Sequence, residues 1–297
     1  MSNTLNTSSL SPEATDALLA KVKQETVNQT FDTSDRETIK QMVECMGDSR
    51  GMVRLGFAES LGRVGQPAIP FLVEALANHS NEVVRRAAAK TLTLIADPVT
   101  IPPLLEAFLH DEDQVVRNSS VGALARIGEQ SVDPLLEILA SSDSDETIKG
   151  HAAWALAFIG SKGKETIYQA YNSDKEEVRS AVVGAISKIA EELSEDKAFK
   201  LLLQSLSDSS VNVRSEAAAA LGNLRYKPAI PPLLELLQHQ KPESRKSSAL
   251  ALMKIGDISA IEPLQKALTQ ESDSAVKPVI NLAITQLNKQ VVDDDWD

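Results

Sequence analysis

The side chains best suited to binding chemistry lie close together in the middle of the chain. Trp154 and Tyr168 are two of its few aromatic residues, which make up 4% of the sequence, and Lys149 and His151 lie just before Trp154. Exposed aromatic rings supply a large share of the binding energy of protein interfaces. We therefore predict a partner-binding site formed by these four residues. The alternative interpretation is that both rings pack in the core.

Cys45 is the only cysteine, which excludes an intrachain disulfide and a cysteine-based zinc finger. A thiol nucleophile needs a base beside it, and no histidine lies near Cys45 in the sequence. Two interpretations remain open: a half-buried, inert thiol, or a metal ligand. In the second case Cys45 would donate one ligand to an iron–sulfur cluster shared with a partner, because a cluster usually needs four ligands.

The composition of the 297-residue chain excludes several classes of function. Its 42 acidic and 30 basic residues give a net charge of −12, which disfavours nucleic acid because phosphate binding needs a concentrated basic surface. No glycine-rich phosphate loop or nucleophile elbow occurs. No apolar run is long enough to insert into a membrane, and the first residues lack the features of a secretory signal. We expect a cytoplasmic protein.

A repeat of about 31 residues organises most of the chain. A basic residue recurs at spacings of 30 to 35, and apolar residues follow it at three or four, seven and ten positions. This spacing gives one apolar stripe on an α-helix, which we call the A helix of each repeat. The basic residues are Arg54, Arg85, Arg117, Lys149, Arg179, Arg214, Arg245 and Lys277.

A second helix, the B helix, follows each A helix after a turn. Glycines such as Gly65 and Gly128 come eleven positions after the basic residue, where a helix stop favours left-handed backbone. Pairs such as Ile69-Pro70 and Ile230-Pro231 then mark the start of the B helix, because proline is tolerated in a first helical turn. The sequence predicts an all-α fold: a right-handed α-solenoid of about eight to nine helix pairs.

The ends of the chain depart from the repeat. We expect a disordered N-terminus over 1–10, a capping helix pair over 11–47, the solenoid over 48–289 and an acidic tail over 290–297. Ser34 and Glu37 have the spacing of a capping box for the second helix. Trp296 lies within the acidic tail and suggests a short docking motif.

Two sets of acidic residues follow the repeat. One precedes the basic position by six residues and predicts a ladder of acid–arginine contacts between neighbouring repeats: Asp48, Asp111, Asp143, Asp208 and Glu271. The other falls on the B helices and forms either a partner-binding stripe or a solvated face: Glu74, Glu106, Glu137 and Glu235.

The repeat resembles the short HEAT-like repeat, in which Val-Arg is followed by Ala-Ala, Leu-Gly and Ile-Gly pairs and then by Ile-Pro. The segments 214–222 and 123–128 carry this pattern well. Within that family the chain resembles the cyanobacterial E/F-type phycobilin lyases, which share an Ala-Ala-Trp segment like the one ending at Trp154. It also resembles HEAT-repeat proteins that associate with the iron–sulfur assembly protein IscA.

The resemblance implies that the B helices line a concave binding face. It supports a non-catalytic scaffold that binds a protein partner, and the second resemblance implies an accessory role in iron–sulfur assembly. The alternative is a phycobilin lyase subunit or bilin chaperone. Because bilins carry propionates, Lys149 and His151 beside Trp154 and Tyr168 would then hold the pigment. The implied partners are a phycobiliprotein subunit, a second lyase chain or an iron–sulfur assembly protein. No histidine is followed by Glu, so the metal motif of the di-iron HEAT-repeat hydroxylases is missing.

Overall fold

The computed structural model describes the backbone of residues 10–294 and the side chains of residues 10–289. Throughout these residues the regular elements are helices, and they contain no β-strand. This confirms the predicted all-α solenoid of helix pairs. The chain divides into two compact units, Met1–Ser131 and Val132–Asp297.

The first unit contains one N-terminal helix pair followed by A and B helices in alternation. The A helices are α3, α5 and α7. Its helices are α1 (Pro12–Val27), α2 (Arg36–Cys45), α3 (Gly51–Val64), α4 (Ile69–Asn78), α5 (Glu82–Ile95), α6 (Ile101–His110) and α7 (Gln114–Ile127).

The second unit begins with a B helix and continues the alternation. Its A helices are α9, α11, α13, α15 and α17. The helices are α8 (Val132–Ala140), α9 (Glu146–Ile159), α10 (Lys164–Gln169), α11 (Glu176–Leu193), α12 (Asp196–Ser205), α13 (Val211–Asn223), α14 (Ile230–Leu236), α15 (Pro242–Ile255), α16 (Ile261–Gln270) and α17 (Lys277–Asp294).

The turn between A and B helices follows from its glycine. Gly65 and Gly128 have φ angles of 74° and 95°, which a side chain rarely adopts, so the helix stops there as predicted. A single 3₁₀ turn, such as Gln66–Ala68, then leads into the B helix. Proline in its first turn removes an N–H that would have had no helical partner.

The N-terminal pair is helical as expected, but one cap differs. Ser11 caps α1 by accepting a hydrogen bond from the Ala14 N–H. The capping box predicted at Ser34 is wrong: Asp35 caps α2, and its carboxylate accepts bonds from the Thr38 N–H and hydroxyl at 3.0 and 2.6 Å. The Ser34 hydroxyl binds Asp32 instead, because the helix starts one residue later than the motif implies.

Two A helices, α11 and α17, are longer than the repeat pattern predicts. The longest repeat spacing, 35 residues from Arg179 to Arg214, is accommodated in part by a longer A helix: α11 continues to Leu193, where Ser194 ends the helix in left-handed backbone at φ 50°. At the C-terminus α17 continues to Asp294, into the segment expected to be an acidic tail.

Arginine side chains link successive repeats at three of the five acids of the predicted ladder: Asp111, Asp208 and Glu271. The prediction is wrong at the other two, because Arg50 of the same turn binds the Asp48 carboxylate and Arg117 donates to Gln114 instead of to Asp143. The Arg179 guanidinium donates two bonds to the Asp208 carboxylate at 2.8 and 2.9 Å and a third to the Ser173 carbonyl at 2.9 Å. Asp208 in turn accepts the Ser210 N–H at 2.7 Å and so fixes the turn before the next A helix. Two further sets repeat this arrangement: Arg85 with Asp111 and the His79 carbonyl, and Arg245 with Glu271 and the His239 carbonyl.

Histidine replaces the ladder acid at two turns. The Nδ1 atoms of His79 and His239 accept the N–H groups of Asn81 and Lys241, each at 3.0 Å, in the manner of the ladder carboxylates. A neutral imidazole therefore preserves the turn without supplying a negative charge. At the second of these turns Arg214 donates to the Ser244 hydroxyl at 3.0 Å instead of to an acid.

We expect the spacing of neighbouring A helices to depend on Gly222. A Cβ atom added there would lie 2.9 Å from the Ala251 Cα, which is backbone and cannot move aside easily. Gly222→Ala should lower the free energy of unfolding by about 1–3 kcal/mol in urea titrations. Gly150→Ala is the matched control, because no atom of the described residues lies within 4 Å of its added Cβ; it should stabilise by up to about 1 kcal/mol. Equal effects of both changes would contradict this packing.

The ladder should also make stability depend on pH. Hydrogen bonds from Arg245 lower the pKa of Glu271 to about 2, from an ordinary value of 4.5. Because this pKa is depressed in the folded state, the stabilisation is present above about pH 4.5 and is lost as the pH falls toward 2. The free-energy difference between the wild type and Glu271→Gln should therefore narrow between about pH 6 and about pH 3. The free-energy difference between the wild type and the exposed Glu262→Gln variant should not change with pH. A difference for Glu271→Gln that stays constant over this pH range would refute the prediction.

Candidate functional site

Large apolar side chains are exposed on the outer faces of the A helices. Trp154 and Phe158 are 51% and 53% exposed, and Leu94 is 59% exposed. They lie five or nine positions after the basic residue of their repeat, on the side of the helix opposite to the buried stripe. The same faces carry further exposed apolar residues: Met52, Leu55, Val115, Leu250 and Leu282. The A-helix faces therefore offer apolar contact area for a ligand or partner.

The first unit contains a groove of about 490 Å³ between helices α3, α5 and α7, which we call the basic groove. Its walls include the apolar residues Leu55, Val83, Leu94 and Val115. Its charged lining residues are all cationic: Arg54, Arg86 and Lys90.

The three cations of the basic groove differ in how they are held. The Arg86 guanidinium is fixed by the Asp113 carboxylate, with its Nε 2.9 Å from Oδ1. Arg54 donates through Nη1 to the Asp48 carbonyl at 2.6 Å, which positions the rest of its guanidinium. The Lys90 side chain is exposed. The groove thus combines an apolar wall with positioned positive charge.

The second unit contains a groove of about 600 Å³ between α9, α11 and α13, which we call the acidic groove. Small residues form much of its surface, including Gly150, Ala153, Gly184 and Ala219. Five glutamates but only two lysines line it: Glu146, Glu176, Glu177, Glu191 and Glu216, with Lys149 and Lys188.

The charges of the acidic groove are unequally compensated. The Lys149 ammonium lies 3.7 Å from the Glu177 carboxylate, and that of Lys188 lies 2.6 Å from Glu191. The Glu216 carboxylate lies over Gly184, with Oε1 3.1 Å from the position of an added Cβ. Loss of hydration at this place raises the pKa of Glu216. Among the described residues no cation forms an ion pair with it.

The structure brings together only part of the predicted aromatic site. Lys149 and Trp154 both line the acidic groove, but the ring partner of Trp154 is Phe158, with centroids 5.6 Å apart. Tyr168 does not line this groove: it lies on the B helix α10 and is 8% exposed, in keeping with the alternative that it packs in the core. Its ring lies under the Lys197 ammonium at 4.1 Å, and burial raises its pKa to about 12.

The remaining predicted residues lie apart from both grooves. The His151 ring nitrogen lies 2.8 Å from the Thr147 carbonyl on its own helix, and His151 lines neither groove. Trp296 lies outside the described residues. The four B-helix glutamates are exposed, and their role in binding stays a prediction: Glu74, Glu106, Glu137 and Glu235.

Comparison with known proteins identifies the family. HEAT repeats match residues 9–93, 37–125, 69–157, 132–203 and 199–284. The chain is 41% identical over 273 residues to the bilin biosynthesis protein MpeU of Synechococcus sp. (strain WH8020), covering 92% of each protein. The chain belongs to the HEAT-repeat, phycobilin lyase-like family.

Two more distant similarities extend only to the repeat architecture. This HEAT-repeat chain is 31% identical over 97 residues to deoxyhypusine hydroxylase of Candida glabrata, covering 32% of the chain and 30% of that protein. The structure of the karyopherin Kap121p bound to the extreme C-terminus of the protein phosphatase Cdc14p aligns with 94% of the chain and 38% of Kap121p. Its TM-score is 0.60 at 13% identity, which supports the solenoid fold.

Cys45 of this HEAT-repeat protein lies half-buried at the end of α2. Burial raises the pKa of its thiol, and the nearby carboxylates of Asp48 and Glu44 raise it further. Within the described residues no group of three or more His, Cys, Asp or Glu side chains is arranged to hold a metal ion. The shared iron–sulfur cluster stays a prediction. In the same part of the chain no helix is long and apolar enough to cross a membrane.

Sequence reasoning missed the residues that complete the grooves. Phe158 follows Trp154 by four positions, the spacing of neighbours on one helix face, so helical periodicity could have paired them. The same four-residue spacing places Lys90 on one helix face with the exposed Leu94. The position of Glu216 over Gly184 had no such signal, because it depends on the packing of two helices 32 residues apart in the sequence.

The thiol of Cys45 should react slowly in the folded protein. Because the thiolate is the nucleophile and the raised pKa disfavours it, modification by Ellman's reagent near neutral pH should be at least about tenfold slower than for free cysteine. Unfolding in urea should remove the difference. A native rate equal to that of free cysteine would contradict the burial of this thiol.

Proposed function

We propose that the chain is a phycobilin lyase-type protein that binds a linear tetrapyrrole and presents it to a phycobiliprotein subunit. The observation that carries this proposal is the 41% identity to a bilin biosynthesis protein over 92% of both chains. Similarity over nearly the full length of both proteins supports a shared role better than similarity confined to a few repeats does. The role is one of binding and presentation, which suits an extended repeat surface.

The basic groove has the chemistry that a bilin requires. A bilin has a long conjugated apolar body and two propionate groups, so its site needs apolar walls with cations at defined points. Leu55, Leu94 and Val115 supply such walls, and a volume of about 490 Å³ lies in the range of ligand pockets. In this arrangement Lys90 and Arg54 bind the propionates, while Arg86 stays with Asp113.

The acidic groove is a poorer site for the pigment, although it holds two of the residues predicted for it. Five glutamates surround Lys149 and Trp154, and their field opposes a dianionic ligand. The Lys149 ammonium is also occupied by Glu177. We therefore place the bilin in the first unit and not beside Trp154.

The proposal predicts pigment attachment in a reconstituted system. The chain should be co-expressed with an apo-phycobiliprotein subunit in a host that makes phycocyanobilin, with and without a second lyase-type chain. The expected result is covalent pigment on the subunit, detected by its absorbance and by zinc-enhanced fluorescence after denaturing electrophoresis. No covalent pigment in any combination, together with no binding of free phycocyanobilin by the purified chain, would refute the proposal.

The location of the pigment can be tested separately by charge reversal. Lys90→Glu should weaken phycocyanobilin binding about tenfold in absorbance titrations, because it replaces a propionate partner with a like charge. Lys266→Glu makes the same charge change at an exposed position on the B helix α16 and should leave the affinity within about twofold. Equal weakening by both variants would mean that only net charge matters and that the basic groove is not the site.

A further inference from the structure

The acidic groove has an exposed aromatic edge that the proposed pigment site does not use. Trp154 and Phe158 are each about half exposed, and their rings contact one another with an interplanar angle of 34°. Exposing two adjacent rings to water is unfavourable, and burying them against a ligand would remove apolar area from solvent. This edge adjoins a concave surface built from three helices.

The electrostatics of the acidic groove select the charge of its ligand. Its lining carries three more negative than positive charges, and both lysines already lie against glutamates. The Glu216 carboxylate lies over Gly184 and has no cation bound to it among the described residues. Its side chain is exposed, so a cationic group of a ligand can reach it and pair with it.

The surface of the groove suits a helix. Gly150, Gly184 and the alanines between the charged positions carry almost no side chain, so the backbone of a ligand can approach closely. A basic amphipathic helix presents apolar residues on one face and lysines or arginines along its flank. Those two features match the aromatic edge and the glutamates of the groove.

We propose that the acidic groove binds a basic amphipathic helix of a partner protein. The apolar face of that helix packs on Trp154 and Phe158, and its cations meet Glu191 and Glu216. This docking site is separate from the basic groove and does not depend on pigment binding.

Trp154 provides a direct test. In a Trp296→Phe background it is the sole tryptophan, so its emission reports on the groove alone. The probe is a synthetic helical peptide of about 18 residues with leucine on one face and lysine on the other, compared with the same peptide carrying glutamate for lysine. The lysine peptide should shift the Trp154 emission to shorter wavelength and bind more weakly at high salt. The glutamate peptide should cause no shift.

Matched variants separate a docking site from general attraction to an acidic protein. Glu191→Gln with Glu216→Gln should weaken binding of a fluorescently labelled lysine peptide at least about tenfold in anisotropy titrations. Glu165→Gln with Glu262→Gln removes the same charge from exposed B-helix positions that do not line the groove, and should change the affinity less than about twofold. Trp154→Ala should also weaken binding about tenfold. Circular dichroism should show that each variant remains helical.

Three results would overturn the proposal. Equal weakening by the two glutamine pairs would reduce the effect to net charge. An unchanged Trp154 spectrum at saturating peptide would place the peptide elsewhere. Self-association of the chain that disappears in Trp154→Ala, measured by sedimentation, would assign the groove to a second copy and not to a basic helix. If pigment attachment fails while peptide binding behaves as expected, only the proposed function is lost.

Discussion

The fork of hydrogen bonds around three of the ladder arginines is the interaction on which the A-helix faces depend. Arg85, Arg179 and Arg245 each join three points: the carbonyl before their own helix and both oxygens of the carboxylate at the next turn. A planar guanidinium can satisfy all three at once, whereas a lysine is a single point of charge. Because these groups are largely removed from water, a slip between repeats would leave buried polar atoms without partners. The ladder thus sets the register in which neighbouring A helices expose their outer positions.

Lys149 shows what changes when the guanidinium is absent. Its ammonium makes one ion pair, 3.7 Å from Glu177, and lies on the surface of the acidic groove. In this repeat the cation at the ladder position lines the acidic groove, on the same helix, α9, that carries Trp154. Elsewhere in the chain, the basic groove forms from equivalent A-helix positions, but its charged lining residues are all cationic. One repeating backbone thereby produces surfaces of opposite charge.

Much of the fold follows from the sequence because its signals are local and repeated. The spacing of the ladder residues, the glycine stops and the proline starts each recur often enough to be separated from chance. The half-exposed position of Trp154 is also consistent with the sequence, since the equivalent residue in the other repeats ranges from Glu and Lys to Gly, Ala and Leu. Where one residue decides the outcome, the sequence is weaker. Asp35 displaced Ser34 as a cap because both residue types favour that role. Composition alone groups Tyr168 with Trp154 and overlooks Phe158, because it identifies rings but not the helix face they occupy. The net charge of −12 likewise concealed a groove whose charged lining residues are all cationic, because an average over the chain carries no spatial information.

The abundance of glycine and alanine on the surface of the acidic groove has a consequence for how such a protein can diversify. These residues have no rotamers to lose, so the shape of the surface is set by the backbone and is already present before any ligand arrives. Selectivity then rests on the few long side chains at the rim, such as Trp154 and Glu216. Replacing these would redirect the protein to a new ligand while leaving the buried stripe and the arginine ladder untouched. The scaffold therefore separates the residues that keep it folded from those that determine what it recognises, and the two sets can change independently.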